Sequence, residues 1–254
     1  MSQVQPAPFE PYSGQPGKDV IWVPTPDVLV EKMLDMAVVT PQDYVIDLGS
    51  GDGRMVIAAA KRGVRSLGVE YNPQMVELST QRAHDAGVGS TARFVHGDMY
   101  EADISAATVL ALFLLPENLD RLAPKFLDLN PGTRIVLNKY LVSGWTPDRS
   151  EQVAQDCGAW CSAHPYIVPA KVEGNWRMKV AEQEGALSLI QIFQIVRGEL
   201  TLSGRSMPVE NGRMHADRIE FDLAGIRYSG RVNGDKIIGG KGGAGTWTAV
   251  RRAR

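Results

Sequence analysis

The stretch Val45-Ile46-Asp47-Leu48-Gly49-Ser50-Gly51-Asp52-Gly53-Arg54 decides the fold. A short apolar segment runs directly into a loop with three glycines at alternate positions, and a pattern typical of a helix follows as far as Arg62. Glycines at alternate positions allow the backbone to approach a bound ligand closely. The stretch therefore predicts a strand, a ligand-binding loop and a helix, in that order.

The same unit repeats along the chain. Apolar segments predict further strands, which with the first give the series 44–46, 64–70, 92–96, 108–114 and 134–140. Helices are expected from a Thr25 cap, from Asn72-Pro73 and from Pro116, with an interruption of the last one at Pro124. Alternating strands and helices imply right-handed crossovers and a parallel, doubly wound sheet. A hairpin turning at Asp156-Cys157-Gly158 is expected to complete it.

The character of the sequence changes beyond Pro169, where helical periodicity disappears. Asn211-Gly212 and Asn233-Gly234 lie between alternating apolar and polar runs, a strong hairpin signal. Trp176 and Trp247 are expected to be core residues that close a sheet or barrel. The fold class predicted is α/β: a doubly wound Rossmann-like sheet followed by a small antiparallel β domain.

Composition excludes several functional classes. The 254 residues carry a net charge of −2, so the long-range positive field of a general nucleic-acid binder is absent, and no nucleic-acid partner is expected. The longest apolar run, 109–115, is far below the roughly 20 residues of a membrane span, and no secretory signal is visible at the start. Two cysteines cannot form a disulfide framework, and four scattered histidines favour no metal site. We expect a cytoplasmic protein without a metal.

Acidic residues follow the first three predicted strands. Asp47 and Asp52 flank the glycine loop, Glu70 ends the second strand and Asp98 follows the third. The carboxyl ends of parallel strands share one edge of a sheet, so one elongated ligand can contact all of these residues. The glycine spacing departs from the GxGxxG of dinucleotide sites, and Asp52 would repel a phosphate. A nucleoside with a cationic or zwitterionic end fits better, and S-adenosylmethionine has that charge distribution.

With these motifs the chain resembles the class I S-adenosylmethionine-dependent methyltransferases over about residues 23–147. Residues 45–53 are similar to the first motif of that family, 68–70 to the acidic second and 97–99 to the third. Pro24-Thr25-Pro26 and Phe113-Leu114-Leu115-Pro116 resemble a subgroup that includes mitochondrial protein-lysine methyltransferases and small bacterial relatives.

The resemblance implies a role for each cofactor-binding residue. Asp47 would orient the ammonium of the amino-acid end, and Glu70 would bind the ribose hydroxyls. Asp98 would bind the adenine amino group while Met99 packs on the ring. The glycines expected to wrap the methionine and ribose are Gly49, Gly51 and Gly53.

The sequence indicates much less about which residues bind the methyl acceptor. The Asn/Asp-Pro-Pro-aromatic signature of many amino-group methyltransferases is replaced by Leu114-Leu115-Pro116-Glu117. Glu117, Asn138 and Tyr140 are weak catalytic candidates, for which ordinary capping or packing roles compete. Trp22 is compatible with a lid over the cofactor or with packing on the first helix.

The function predicted is methyl transfer from S-adenosylmethionine to a small molecule or a protein lysine by in-line displacement. The alternatives are aminopropyl transfer, for which polyamine-binding acids are not evident, and a non-catalytic S-adenosylmethionine-binding sensor or assembly module. The predicted division is a flexible leader at 1–21, a methyltransferase domain at 22–169 and the β domain at 170–254. That β domain is compatible with capping the site, forming a homodimer or binding a separate ligand.

Overall fold

The computed structural model describes residues 9–240 and 245–252. The chain forms two compact units, one containing the residues up to 129 together with 133–166, the other containing 130–132 and the residues from 167 onward. The three-part division into 1–21, 22–169 and 170–254 stays a prediction.

The first unit is a seven-stranded sheet with helices. Its helices are α1 Asp27–Met36, α2 Arg54–Lys61, α3 Pro73–Asp85 and α4 Pro116–Leu127. Its strands are β1 Tyr44–Leu48, β2 Arg65–Glu70, β3 Ala92–His96, β4 Val109–Leu112, β5 Arg134–Asn138, β6 Glu151–Gln152 and β7 Ser162–Ile167. The strand order is β3-β2-β1-β4-β5-β7-β6, with β1 to β5 in parallel pairs and β6 antiparallel to β7. The predicted α/β fold class is confirmed.

The centre of this sheet is buried because helices contribute apolar faces to it. All four residues of β4 are buried, as are the last four of β1. In α1, Leu29, Met33 and Leu34 recur at helical spacing and are fully buried. The consequence is a rigid central pair of strands whose carboxyl ends hold the loops described below.

Helix boundaries follow local chemistry, with two corrections to the expectations. Asn72 caps α3 as expected, since its side chain accepts a hydrogen bond of 2.9 Å from the Gln74 amide. The Thr25 cap is wrong: α1 begins after Pro26, and the Thr25 carbonyl instead accepts a bond from Arg54. The interruption at Pro124 is also wrong, because α4 continues through it and loses only the hydrogen bond that this residue cannot donate.

The second unit is a closed antiparallel barrel. Its strands are β8 Gly174–Val180, β9 Gln183–Ile192, β10 Ile195–Leu202, β11 Arg205–His215, β12 Arg218–Leu223, β13 Ile226–Asn233, β14 Lys236–Gly239 and β15 Trp247–Arg251. Two-residue loops join every consecutive pair from β8 to β14, and the first residue of each loop has φ between 49° and 57°. Positive φ matches the primed turns that suit the twist of hairpin strands.

Barrel closure places the two expected tryptophans in the core. β15 pairs with β8, with Arg251 opposite Trp176 and Trp247 opposite Val180. Trp176 is 0% and Trp247 2% exposed, and both belong to one apolar cluster inside the barrel. Their predicted role as core residues is confirmed.

The two Asn-Gly pairs of this unit behave differently. Asn233-Gly234 lies at a hairpin turn between β13 and β14, as predicted. Asn211-Gly212 lies inside β11, where the pairing register to both neighbouring strands shifts, so the predicted turn is wrong and the pair forms a bulge. Asn211 takes φ of 50° there and donates a 2.8 Å hydrogen bond to Asp222.

Two further findings concern the described residues as a whole. A disulfide joins Cys157 to Cys161, a pairing that the sequence did not predict. Within 9–240 and 245–252, none of the helices has both the length and the apolar character that crossing a bilayer requires.

Candidate functional site

A cavity of about 230 Å³ lies in the first unit, at the edge of the sheet where the parallel strands end. Asp47 reaches it from β1, Glu70 from β2 and Asp98 from the segment after β3. The sequence predicted that these three carboxylates meet at one edge, and the structure brings them together.

Asp47 is a buried acid of the cavity. It is 7% exposed, and no residue of the described chain donates a hydrogen bond to its carboxylate. Burial, reinforced by the negative charges of Glu70 and Asp52, raises the pKa of Asp47 to about 8. A buried carboxyl without a partner is a site that a cation would stabilise.

Asp52 differs from Asp47 because two arginines neutralise it. Arg54 Nη2 lies 2.8 Å and Arg82 Nη1 2.5 Å from the same carboxylate oxygen. Burial alone would raise the pKa of Asp52, but these hydrogen bonds and positive charges outweigh it and lower that pKa. The repulsion of phosphate expected from Asp52 is therefore weakened.

Glu70 joins the glycine loop to the start of α3. Its Oε2 accepts a 2.8 Å hydrogen bond from the Gly51 amide, and its Oε1 accepts one of 2.9 Å from the Asn72 amide. Each carboxylate oxygen has a second lone pair, so both can still accept from ligand hydroxyls. Glu70 thus shapes the loop and also lines the cavity.

Asp98 forms an ion pair that the sequence did not predict. Lys18 Nζ lies 2.5 Å from Asp98 Oδ2, and the Tyr100 amide donates to Oδ1 at 2.8 Å. The hydrogen bond from Lys18 lowers the pKa of Asp98, so the group is a carboxylate at neutral pH. Met99, the next residue, is 8% exposed and lines the cavity.

The three glycines have different surroundings. All have positive φ, which only glycine adopts readily. Gly49 lines the cavity, whereas Gly51 and Gly53 are not among its lining residues. A Cβ on Gly51 would lie 2.4 Å from the Trp22 indole nitrogen. A Cβ on Gly53 would lie 2.7 Å from Phe94, so this glycine permits packing behind the loop.

The described part of the leader forms a small hairpin against the cavity. The Gly14 amide donates to the Trp22 carbonyl at 2.8 Å, and the Trp22 amide donates to the Gln15 carbonyl at 2.9 Å. Residues 15–25 line the cavity, Trp22 among them. Trp22 therefore packs against the glycine loop at Gly51, and its role as a lid stays a prediction.

The structure separates the three acceptor-side candidates. Tyr140 lines the cavity and is half-buried. Glu117 is exposed in the first turn of α4 and is not among the lining residues. Asn138 is completely buried, with its amide 3.4 Å from Thr25 Oγ1, and does not line the cavity either. Of the three, only Tyr140 is placed to contact a substrate.

Two aromatic residues of the cavity were not predicted as site residues. Phe113 lies just after β4, and Trp160 lies between the disulfide-bonded cysteines. A single sequence gives no signal for Trp160, because its position depends on a loop that folds back over the sheet. Within the described residues, no group of three or more His, Cys, Asp or Glu side chains is placed to hold a metal ion.

The residues present fit a nucleoside with a cationic end. Within the part of the chain that the structure describes, neither the Asp47 carboxylate nor the buried Ser50 hydroxyl has a hydrogen-bond partner, and both residues line the cavity. Asp47 matches a positive group, and Ser50 offers a further donor and acceptor. Glu70 has lone pairs left for ribose hydroxyls. The strand order and the site together define the class of protein. It has a Rossmann-like fold, with an acidic site suited to a nucleoside at the carboxyl ends of its parallel strands.

Comparisons with known proteins place the chain more narrowly. The ANTKMT methyltransferase domain family model matches residues 47–149. A protein-lysine N-methyltransferase of Saccharolobus islandicus is 41% identical over 131 residues, which cover 50% of this chain and 81% of that protein. The adenine nucleotide translocase lysine N-methyltransferase of Mus musculus is 33% identical over 105 residues, covering 41% of this chain and 46% of that protein. The chain thus spans less than half of the mouse protein.

A solved structure is similar over most of its length. The RNA methyltransferase from Salinibacter ruber, in complex with S-adenosyl-L-homocysteine, is 39% identical, covers 59% of this chain and 96% of that chain, and has a TM-score of 0.55. The chain belongs to the S-adenosylmethionine-dependent methyltransferases, in the group that contains the Saccharolobus protein-lysine N-methyltransferase. It is an enzyme, and S-adenosylmethionine is its methyl donor.

Proposed function

We propose that this enzyme methylates the side-chain nitrogen of protein lysines. The observation that carries the proposal is the 41% identity to the Saccharolobus protein-lysine N-methyltransferase over 81% of that protein. The structural relative named as an RNA methyltransferase is 39% identical, so the acceptor must be tested directly. The chain's net charge of −2 and the carboxylates of its cavity favour a cationic acceptor over a polyanion.

The proposed cofactor contacts follow from the geometry above. Asp47 would pair with the ammonium of the amino-acid end, since a cation there relieves an isolated buried acid. Glu70 would accept from the ribose hydroxyls. Asp98 would accept from the adenine amino group, because its oxygens have lone pairs beyond those used by Lys18 and Tyr100. Met99 would pack on the base, and Gly49 would allow close approach of the loop.

The chemistry places few demands on the protein beyond these contacts. The bound cofactor supplies a methyl group already activated on a sulfonium. The chain's residues must hold a neutral acceptor nitrogen in line and exclude water. Trp22 and the hairpin of residues 14–22 cover the glycine loop and so shield it from solvent. We assign no general base, because Glu117 and Asn138 lie outside the cavity lining.

Transfer of labelled methyl groups tests the function. The full chain is incubated with methyl-labelled S-adenosylmethionine and cell lysate, and the label is followed in the protein, RNA and small-molecule fractions. We expect label in protein, mapped to lysine by mass spectrometry, with equimolar S-adenosylhomocysteine. Label confined to RNA or metabolites would refute a lysine acceptor.

A matched pair of variants tests the cofactor contacts. Glu70→Gln removes the charge at the proposed ribose contact, and we expect S-adenosylhomocysteine binding to weaken by about 1.5–3 kcal/mol, the scale of hydrogen bonds to charged groups. Glu77→Gln is the control, because Glu77 lies on α3, away from the residues that line the cavity. Calorimetry that gives equal affinities for the two variants would remove Glu70 from the site. The cytoplasmic location and a homodimer stay predictions.

A further inference from the structure

Three aromatic rings gather at one part of the cavity wall: Phe113, Tyr140 and Trp160, here called the aromatic cluster. Their ring centroids lie 6.3 Å apart for Phe113 and Tyr140, 6.4 Å for Phe113 and Trp160, and 6.3 Å for Tyr140 and Trp160. The three residues come from the end of β4, the end of β5 and the loop before β7. Because the spacing is nearly equal, a ligand that contacts one ring lies close to the other two.

The cluster is accessible and is not part of the apolar core. Trp160 is 39% exposed, and Phe113 and Tyr140 are half-buried. Trp160 has φ of 60° and lies between Cys157 and Cys161, whose disulfide closes the short loop that carries it. The Val153 amide also donates to the Cys161 carbonyl at 2.8 Å, which attaches the loop to the preceding strand. An exposed tryptophan fixed in this way at a cavity is suited to contact a ligand.

Charge around the cavity indicates the sign of that ligand. Acidic residues outnumber basic ones in the lining even while Asp47 holds its proton. The acidic residues are Asp19, Asp47, Asp52, Glu70 and Asp98, and the basic ones are Lys18 and Arg54. The cavity therefore attracts cations and resists anions.

The cluster already has an ammonium beside it. Lys139 Nζ lies 5.9 Å from the centroid of the Trp160 ring, within the range of cation–π attraction. The charge of Lys139 opposes a second cation at this ring, so the preference for an alkylammonium rests on the ring faces and on the acidic lining of the cavity.

We propose that the aromatic cluster is the acceptor subsite and that it selects an alkylammonium: a lysine side chain and its methylated products. The inference rests on the proposed lysine acceptor and adds the residues that recognise it. Cation–π contact does not require the N–H groups that are lost as methyl groups accumulate, so the cluster can hold a lysine at each methylation state. Before each transfer the bound ammonium gives one proton to water; the neutral nitrogen then forms its bond to the methyl carbon as the bond from that carbon to the sulfonium breaks, which leaves S-adenosylhomocysteine.

A pair of isosteric peptides tests the cluster separately from turnover. One short Gly- and Ala-based peptide carries trimethyllysine, and its partner carries the neutral analogue in which carbon replaces the charged nitrogen. Binding to the full chain saturated with S-adenosylhomocysteine is measured by calorimetry. We expect the cationic peptide to bind roughly 5- to 30-fold more tightly, the range that about 1–2 kcal/mol of cation–π attraction gives. Equal binding of the two peptides by the wild-type chain overturns the proposal.

Variants assign the effect to the rings. Trp160→Leu should reduce the preference to less than about threefold and leave S-adenosylhomocysteine affinity within about twofold, and Trp160→Phe should restore part of the preference. Tyr12→Leu is the matched control, since Tyr12 is 65% exposed and is not a lining residue. Phe113→Leu repeats the test at a second ring. A preference that survives both cluster variants also overturns the proposal.

The outcomes separate this proposal from the lysine function. Label found in lysine together with equal binding of the two peptides retains the function and overturns the cluster. Label found only in small amines together with a cation preference overturns the protein acceptor and supports the cluster. A single-stranded oligonucleotide that displaces the cationic peptide from the wild-type chain, and binds less well to Trp160→Leu, shows a platform for bases and overturns the proposal.

Discussion

Asp47→Asn is the substitution for which the structure gives the clearest quantitative expectation. Burial, with the charges of Glu70 and Asp52, raises the pKa of Asp47 from 3.8 to about 8. A rise of about four units at about 1.36 kcal/mol per unit corresponds to a cost on the order of 5 kcal/mol for ionising Asp47 in the folded, ligand-free chain. Asparagine has a similar shape and carries no charge, so the variant avoids this cost.

The sign of the pH dependence follows from where the proton is held. Below pH 3.8 the carboxyl is protonated in both states, and its neutral form is fully compatible with folding. Between there and about pH 8 the unfolded chain loses the proton and the folded chain keeps it, so stability falls as pH rises. From pH 5 to 8 the free energy of unfolding of the wild type should therefore fall by about 4 kcal/mol relative to Asp47→Asn.

Urea unfolding at pH 5, 6, 7 and 8, read by hydrogen exchange in peptides covering β1 and β4, measures this difference in the unit that contains Asp47. A second readout uses the ligand: S-adenosylhomocysteine carries an ammonium, so its binding at pH 6.5 should release close to one proton from Asp47. Calorimetry in buffers of different ionisation enthalpy counts that proton, and Asp47→Asn should release none. Parallel stability curves for the two chains, with no difference in proton release, would refute the reasoning.

Two glycine substitutions test packing in each unit. Gly51→Ala places a Cβ 2.4 Å from the indole nitrogen of Trp22 at φ of 52°. Because Trp22 must then move, we expect the affinity for S-adenosylhomocysteine to fall by at least about tenfold in calorimetry. An unchanged affinity would contradict the packing of Trp22 on the glycine loop. Gly239→Ala places a Cβ 2.0 Å from the Trp247 ring and should destabilise the barrel by about 1–3 kcal/mol in urea unfolding, without changing cofactor affinity. Gly240→Ala is its control, because no atom of the described residues lies within 4 Å of a Cβ there, and equal stabilities would contradict the packing.

The sequence predicted the elements of the first unit well because their signals are local. β3 has the predicted bounds and α4 begins at the predicted Pro116, because strand ends and proline positions depend on neighbouring residues. Asn211-Gly212 shows the limit. An Asn-Gly dipeptide can form either a turn or a bulge, and pairing with distant strands decides which of the two forms. A Cβ on Gly212 would lie 2.2 Å from the Val196 carbonyl of the adjacent strand, and no local sequence pattern reveals that contact.

The candidate site also has features that the sequence predicted and features that it did not. Asp47, Glu70 and Asp98 could be predicted to converge, because each ends or follows a parallel strand and topology brings those ends together. The protonation states of these residues could not be predicted, because they depend on burial and on which basic side chains pair with each acid, as Lys18 pairs with Asp98. The position of Trp160 at the cavity also could not be predicted, because it depends on how a disulfide-closed loop packs against residues distant in sequence.

The pairing of the barrel has a consequence for how that unit assembles. From β8 to β15 every strand pairs with its neighbour in sequence, and within the described residues the one exception is the β15–β8 pair that closes the ring. Local hairpins form in microseconds, whereas β8 and β15 are far apart in sequence and can meet only when the strands between them have paired. We therefore expect ring closure to come last, and until it occurs both outer strands are unpaired edges on which another chain can pair.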